Sequence, residues 1–212
     1  MAETTRVSND ERSRRRRERI LDAAFHVFSR SGYRDGAVDE IAREAETSKG
    51  GLYFHFPTKE ALFVELIRST ADRLVDKVER TVAREPDPVA RADAAIRTVL
   101  MTFAGHRTMA RLLLVDTLGA GRVFRSELER LHERFARIIA GHLDDAVRAG
   151  VIPPLDTAVA GQAWFGALHE VVMRWLIADR PRPLEDAYPT LRRLLLRSVG
   201  VPEERIAELD RR

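Results

Sequence analysis

The sequence predicts an all-α protein of nine or ten helices, with an N-terminal three-helix, helix-turn-helix head and a C-terminal helical bundle. Three observations carry that prediction. Apolar residues recur at three- and four-residue spacing through most of the chain, the mark of helices with one buried face. The segments so marked are separated by breaks, mostly at Gly or Pro, and several of these are succeeded by a residue able to cap a new helix. No stretch alternates with period two, as a half-buried strand would, and no internal repeat occurs.

At the N-terminus, residues 1–8 read as a flexible arm, and Ser8-Asn9-Asp10-Glu11 has capping-box spacing, so a helix is expected from about Asn9 to Ser31, stopped by Gly32. Ile20, Ala24, Phe25 and Phe28 supply its inner face, with His26 near the surface. Val38 to Ala45 is a short helix with Val38, Ile41, Ala42 and Ala45 on one side. Ser48 caps the next, in which Leu52 and Phe56 lie four apart and face inward. Two short helices joined by so tight a turn describe a helix-turn-helix, whose second helix enters the DNA major groove by its N-terminal end.

After Pro57, Thr58 caps a long helix from Lys59 to about Arg84, and Glu85-Pro86-Asp87-Pro88 breaks it. Asp87 as cap, with Pro88 in the first turn, opens a helix to about Ala104. Thr108 caps a shorter one, Met109 to Leu118, ended by the Gly119-Ala120-Gly121 loop. A long helix from about Val123 to Ala149 turns Leu128, Leu131, Phe135, Ile138, Ile139, Leu143 and Val147 inward. Past Pro153-Pro154, Asp156 caps Thr157 to Ala178. The last main helix spans Leu184 to Val199 with a kink at Pro189, and Pro202 starts a short tail helix. Two domains are therefore expected, 1–58 with the helix-turn-helix for DNA binding and 59–212 with the helical bundle.

Composition narrows the function classes. At 212 residues, 44% hydrophobic and 33% charged, the chain is suited to a packed core. It has no Cys, hence no disulfide, thiolate nucleophile or Cys-ligated zinc, which fits a cytoplasmic protein. No apolar run reaches transmembrane length uninterrupted, so no membrane partner is expected. Net charge is only +3, but Arg12, Arg14, Arg15, Arg16, Arg17 and Arg19 fall close together beside the helix-turn-helix, where phosphate contact is the expected role, Arg14 and Arg15 above all. None of the six His pair at i, i+4, and no HExxH, G-x-S-x-G or P-loop signature occurs, so neither an enzyme, a metal site nor a cofactor is expected. His142 with Asp144 and Asp145 reads as a solvated helix end.

The stretch Thr47 to Glu60 is the most specific in the chain. Lys49 and Lys59 carry charge for phosphates, Tyr53 and His55 offer donors to phosphate oxygens, and Gly50 and Gly51 let the backbone approach the duplex. Ile41, Ala42, Ala45, Ser48, Lys49, Gly50, Leu52, Tyr53, His55, Phe56, Lys59 and Leu62 match, at fixed spacing, the pattern of the TetR family of one-component bacterial repressors. The resemblance covers residues 12–66. It implies a DNA-binding head containing Thr47, Ser48, Lys49, Gly50, Gly51, Tyr53, His55 and Lys59. It also implies a long fourth helix that carries motion out of the head, and a C-terminal effector pocket. Three positions depart from the pattern. Ala37 stands where a Ser or Thr caps the second helix, Glu46 replaces the turn Gly, and Gly51 replaces a residue that often points at a base.

Two further expectations concern the second half. Residues 157–178 are apolar nearly all round, so one side is expected to face the core and the other a partner subunit. Val171 and Trp175 there, with Leu191, Leu194 and Leu195 of the last helix, are expected to form a two-fold four-helix interface. A homodimer suits a palindromic operator. Met101, Phe103, Leu113, Phe124, Phe135, Trp164 and Leu168, with Met109, come from several helices and are expected to line an effector pocket. Its candidate polar groups are Gln162, His169, His106, Asp116 and Arg174. The reading is thus a homodimeric repressor released from double-stranded operator DNA by a small, largely apolar effector. The runner-up is an effector-independent or architectural DNA-binding protein whose bundle only dimerises or recruits a partner.

Overall fold

A computed structural model describes residues 2–116, 122–209 and 211. Its helices are α1 (Ala2–Asp35), α2 (Val38–Glu44), α3 (Lys49–His55), α4 (Lys59–Val82), α5 (Pro88–Gly105), α6 (Arg107–Arg111), α7 (Arg122–Arg148), α8 (Thr157–Ile177), α9 (Tyr188–Ser198) and α10 (Glu203–Leu209). A π-helical turn (Leu112–Asp116) and a 3-10 turn (Leu184–Ala187) complete the order, and no strand occurs among the described residues. The Gly119-Ala120-Gly121 loop, and Leu118 before it, lie outside those residues.

Side-chain caps set four of the helix starts. Ser48 accepts the N–H of Gly51 at 3.0 Å, Thr58 that of Ala61 at 3.0 Å, Asp87 that of Ala90 at 3.0 Å, and Asp156 that of Val159 at 3.1 Å. Each satisfies one of the N–H groups that a helix start leaves without an intrahelical partner. Gly32 has φ 74°, so the first helix does break there before one further turn to Asp35.

Four expectations need correction. The helix α1 begins at Ala2, not near Asn9, so residues 2–8 are helical and the capping-box spacing at Ser8 lies inside the helix and starts none. Thr108 is not a cap, since α6 has already begun at Arg107. Beyond α6 the backbone turns π-helical, not α-helical, over the apolar run Leu112, Leu113, Leu114 and Val115. Pro189 does not kink the last helix; it sits in the first turn of α9, where its missing N–H costs nothing.

In the head, α1 packs across α2 and α4, with Ile20, Ala24, Val27 and Phe28 against Ile41, Leu52, Leu62 and Phe63, all buried. In the body, α7 and α8 pack along each other, and α5 runs between α4 and α9. Gly161 on α8 permits that closeness, because a Cβ there would lie 2.5 Å from the carbonyl oxygen of Ala136 on α7. Trp164 donates from Nε1 to Ser198 Oγ at 3.1 Å, fixing α8 to the end of α9.

The start of α2 is the one short helix of the head without a side-chain cap. Ala37 is its N-cap, in extended backbone at φ −82° and ψ 130°, and no side chain accepts there. Glu40 does not fold back as a capping-box partner, since Arg30 holds its carboxylate at 3.0 Å. Ala37→Thr keeps that backbone and adds the missing acceptor. It is expected to stabilise the protein by about 0.5–1.5 kcal/mol. A denaturant melt of the two proteins measures this, and an unchanged or lower midpoint would refute the assigned helix start.

Candidate functional site

The two short helices α2 and α3 are held by Ile41, Ala42, Ala45, Leu52 and Phe56, all buried. The turn between them needs one residue in left-handed backbone, and Glu46 takes it at φ 52°, as its replacement of the turn Gly implies. The N–H of Thr47 then donates to the Ala42 carbonyl at 2.9 Å, closing the turn. Behind it, Arg30 bonds Glu40 and Glu44, each at 3.0 Å, and His26 bonds Glu44 at 2.8 Å, locking α2 onto α1. That contact gives His26 a structural part.

The open side of α3 carries the expected residues, with two changes. Ser48, Lys49, Gly50 and Tyr53 are exposed, and Thr47, Gly51 and His55 are half-buried. Lys49 pairs with Asp39 at the start of α2 at 3.0 Å, an exposed pair that a phosphate could displace. A Cβ at Gly51 would stand 2.6 Å from the Thr47 hydroxyl, so the glycine keeps Thr47 in place. Burial, then Arg16 and Arg17, hold the His55 imidazole below its usual range, so it presents an uncharged ring.

The first change is Lys59. Its ammonium donates to the Arg34 carbonyl at 2.9 Å and lies 5.0 Å from the Tyr33 ring and 5.9 Å from the Phe28 ring. It therefore satisfies the end of α1, and its charge is turned into the protein, not outward as expected. The second change is Phe54, which sequence reading passed over. It is 83% exposed, on the last turn of α3, four residues from Gly50 and on the same face. The signal was available: Leu52 and Phe56 fix the buried side, which leaves residue 54 outside.

The basic run divides by contact. Arg17 bonds Glu65 of α4 at 2.7 Å and stacks 5.1 Å over the Phe56 ring, so it braces α3. Arg14 pairs loosely with Glu18 at 3.8 Å, and Arg12, Arg15 and Arg16 are exposed.

A cavity of about 180 Å³ lies between α4, α5, α7 and α8. Of the expected lining, Phe103, Leu113, Phe135, Trp164, Leu168 and His169 are in its wall. Met101, Phe124 and Gln162 are not. Phe124 packs in an aromatic cluster, 5.4 Å from Phe63 and 5.0 Å from Tyr33, at the junction of head and body. Gln162 is on the exposed face of α8, and Met101 is a half-buried residue packed against the core. Met109 also lies outside the wall. Of the other polar candidates, His106 is exposed, Arg174 pairs with Glu170 on the surface at 2.6 Å, and the Asp116 side chain lies outside the described residues.

The wall also contains residues that sequence reading did not select, above all Phe165 and His132. Leu128, His132 and Phe135 stand at i, i+4 and i+7, a helical face that could have found His132. Its ring lies 4.8 Å from Phe165 and 5.0 Å from His169, and Phe165 is parallel to Phe135 at 6.0 Å. Burial, and then His169, keep the His132 imidazole below its usual range; burial does the same to His169, against an opposing pull from Glu170. No group of three or more metal-ligating side chains occurs among the described residues. His142 bonds Glu79 at 3.3 Å and Asp144 accepts from Thr157, so both side chains at that helix end are taken up internally.

The expected interface residues separate in a way the periodicity did not show. Leu191 and Leu195 are buried in their own chain, at 7% and 2% exposure, and so belong to the core of the single chain. Trp175 is half-buried beneath the Arg107 guanidinium, 5.0 Å from its ring, and Val171 is half-buried against the core. What faces outward from α8 and α9 is Val159, Ile177 and Leu194, at 59%, 56% and 56% exposure.

Comparison with known proteins bears on both halves. Residues 20–66 match the family model described as bacterial regulatory proteins, tetR family. Residues 85–199 match the tetracyclin repressor-like C-terminal domain. The chain is 26% identical over 190 residues to the HTH-type transcriptional repressor DhaR of Mycobacterium sp. strain GP1, covering 86% of this chain and 93% of that protein. It is 27% identical over 145 residues to the HTH-type transcriptional regulator RutR of Escherichia coli K12, covering 66% of each. Among solved structures, FadR of Bacillus subtilis, determined in complex with stearoyl-CoA, has the same fold, with a TM-score of 0.76 at 22% identity over 88% of this chain and 99% of that one. With a DNA-binding head and a C-terminal domain that both match, the chain belongs to the tetR family of bacterial regulatory proteins and is a helix-turn-helix regulator of transcription.

Proposed function

We propose that this chain is a homodimeric cytoplasmic repressor that binds a palindromic operator in double-stranded DNA and leaves it when a small, largely apolar effector enters the cavity. The cavity carries this reading. Its wall includes Ala71, Leu74, Val75 and Val78 of α4, a helix whose first turns pack in the head through Leu62, Phe63 and Leu66. A solid bundle would instead have favoured an effector-independent protein. The stearoyl-CoA bound by the Bacillus subtilis FadR supports an apolar ligand in a bundle of this fold.

On the DNA side, Lys49, Tyr53, Ser48 and Thr47 serve as donors, and Arg14 and Arg15 reach phosphates beyond the helix-turn-helix. Gly50 and Gly51 admit the backbone, and Phe54 lies over the base edges, where an aromatic ring can touch a thymine methyl. Selection of bound duplexes from a random pool supplies the operator and tests for two-fold symmetry. On that operator, Phe54→Ala is expected to lose affinity by about 1–3 kcal/mol, with an unchanged salt slope because no phosphate contact is removed. A normal affinity would place Phe54 outside the interface.

The effector reading is tested by filling the cavity. Leu113→Trp and Phe135→Trp add bulk among Phe103, Trp164 and Leu168. Both are expected to blunt the response to inducer by about tenfold or more, while operator affinity without inducer stays within about 0.5 kcal/mol. Two variants that respond like the parent would remove the cavity from the mechanism.

The dimer is assigned to the outward face of α8 and α9. Leu194→Glu is expected to give a folded monomer in sedimentation, because Leu194 is exposed in the single chain and only a partner can bury it. A dimer as stable as the parent's would exclude that face.

A further inference from the structure

The polar groups in the cavity wall are of two kinds. Glu79 and His142 bond each other, and Arg91 donates to the carbonyl oxygens of Glu85 at 2.6 Å and Pro86 at 3.2 Å. These have their partners within the chain. His132 differs, because its Nε2 is buried and has no hydrogen-bond partner among the described residues. A buried polar atom left unpaired is a standing cost to the fold, and a ligand that pairs with it recovers that cost on binding.

We propose that the effector is an uncharged molecule about one ring in size, bearing a single hydroxyl or carbonyl group that hydrogen-bonds to His132 between α7 and α8. This rests on the effector-responsive reading given above. Size supports it. A cavity of roughly 150 Å³ lined by aliphatic and aromatic side chains is enough for benzene, and this one is about 180 Å³. Shape supports it, since Phe135, Phe165, Trp164 and Phe103 are all in the wall and Phe135 and Phe165 are parallel at 6.0 Å. Charge supports it as well. Burial favours the neutral forms of His132 and His169, and the one Arg in the wall is bonded to backbone carbonyls. A carboxylate would lose its hydration there with no free cation among the described wall residues to meet it. A neutral imidazole nitrogen donates or accepts according to its tautomer, so a hydroxyl or a carbonyl satisfies it equally.

Three probes of one shape separate the possibilities: toluene, p-cresol and p-toluate, titrated calorimetrically into the full-length protein at neutral pH. We expect p-cresol to bind about tenfold more tightly than toluene, and p-toluate to bind most weakly. His132→Phe keeps a ring and removes the nitrogens, so p-cresol should fall to the level of toluene while toluene is unchanged. His132→Gln, which retains a donor and an acceptor, should keep part of the preference, and it decides the matter if the Phe variant does not fold. Equal binding of toluene and p-cresol, tightest binding of p-toluate, or a p-cresol preference that survives His132→Phe would each overturn this inference and leave the cavity as an effector site. Binding of none of the three at their solubility limits would overturn this inference as well, and would leave the effector reading to the cavity-filling variants.

Discussion

The helix α4 belongs to two cores at once, and that constraint organises the rest of the molecule. Its first turns, with Leu62, Phe63, Leu66 and Ile67, complete the hydrophobic core of the head. Two turns later Ala71, Leu74, Val75 and Val78 form one wall of the cavity. Between the two lies a cluster of rings. Phe63 meets Phe28 edge-on at 5.2 Å, Tyr33 at 4.6 Å and Phe124 at 5.4 Å. Packed interiors are as dense as organic crystals, so a helix pinned in this way moves as a unit or not at all.

Ion pairs reinforce the same junction. Glu127 on α7 is buried and accepts from Arg68 of α4 through both carboxylate oxygens, at 2.7 and 2.6 Å, and from Arg130 at 3.1 Å. The Arg68 guanidinium holds the Glu127 carboxyl below the usual carboxylate range. Less than one turn before Arg68, Glu65 bonds Arg17, which stacks on Phe56 at the end of α3. A contact on α7 is thus joined, through two residues of α4, to the helix that presents Lys49, Tyr53 and Phe54. A bidentate pair of this kind is directional as well as attractive, and it resists sliding of α4 along α7.

Much of this was legible in the sequence, and the reasons are local. The helix-turn-helix rests on short-range spacing, with Ile41, Ala42, Ala45, Leu52 and Phe56 inward and Ser48 capping, and each of these behaves as read. The caps Thr58, Asp87 and Asp156 were equally plain, because a capping side chain bonds a backbone group only three residues away. What failed depended on which of two apolar faces meets which neighbour. Leu191, Leu194 and Leu195 share an apolar stretch of α9, yet two are core and one is exposed. Periodicity gives the faces of a helix but does not rank them. Lys59 failed for a related reason. A Lys beside a DNA-binding helix reads as a phosphate ligand, and only the fold shows the carbonyl of Arg34 within its reach. His132 was similarly silent, since its lack of a hydrogen-bond partner among the described residues is a property of everything packed around it.

The junction also limits what an effector can accomplish. A ligand changes DNA affinity only by the difference in its affinity for the two arrangements of the protein. A molecule that fits both arrangements alike shifts nothing, however tightly it binds. The wall residues therefore differ in kind. Phe103 and Leu113 lie on α5 and the π-helical turn, and His132, Phe135, Trp164 and Phe165 lie on α7 and α8. Under the proposed reading, these set what is bound. Leu74, Val75 and Val78 are on α4, which is shared with the head, so under the proposed reading contacts with them carry binding toward α3. Recognition and response then rest on different sides of one small cavity, and a ligand can satisfy the first without producing the second.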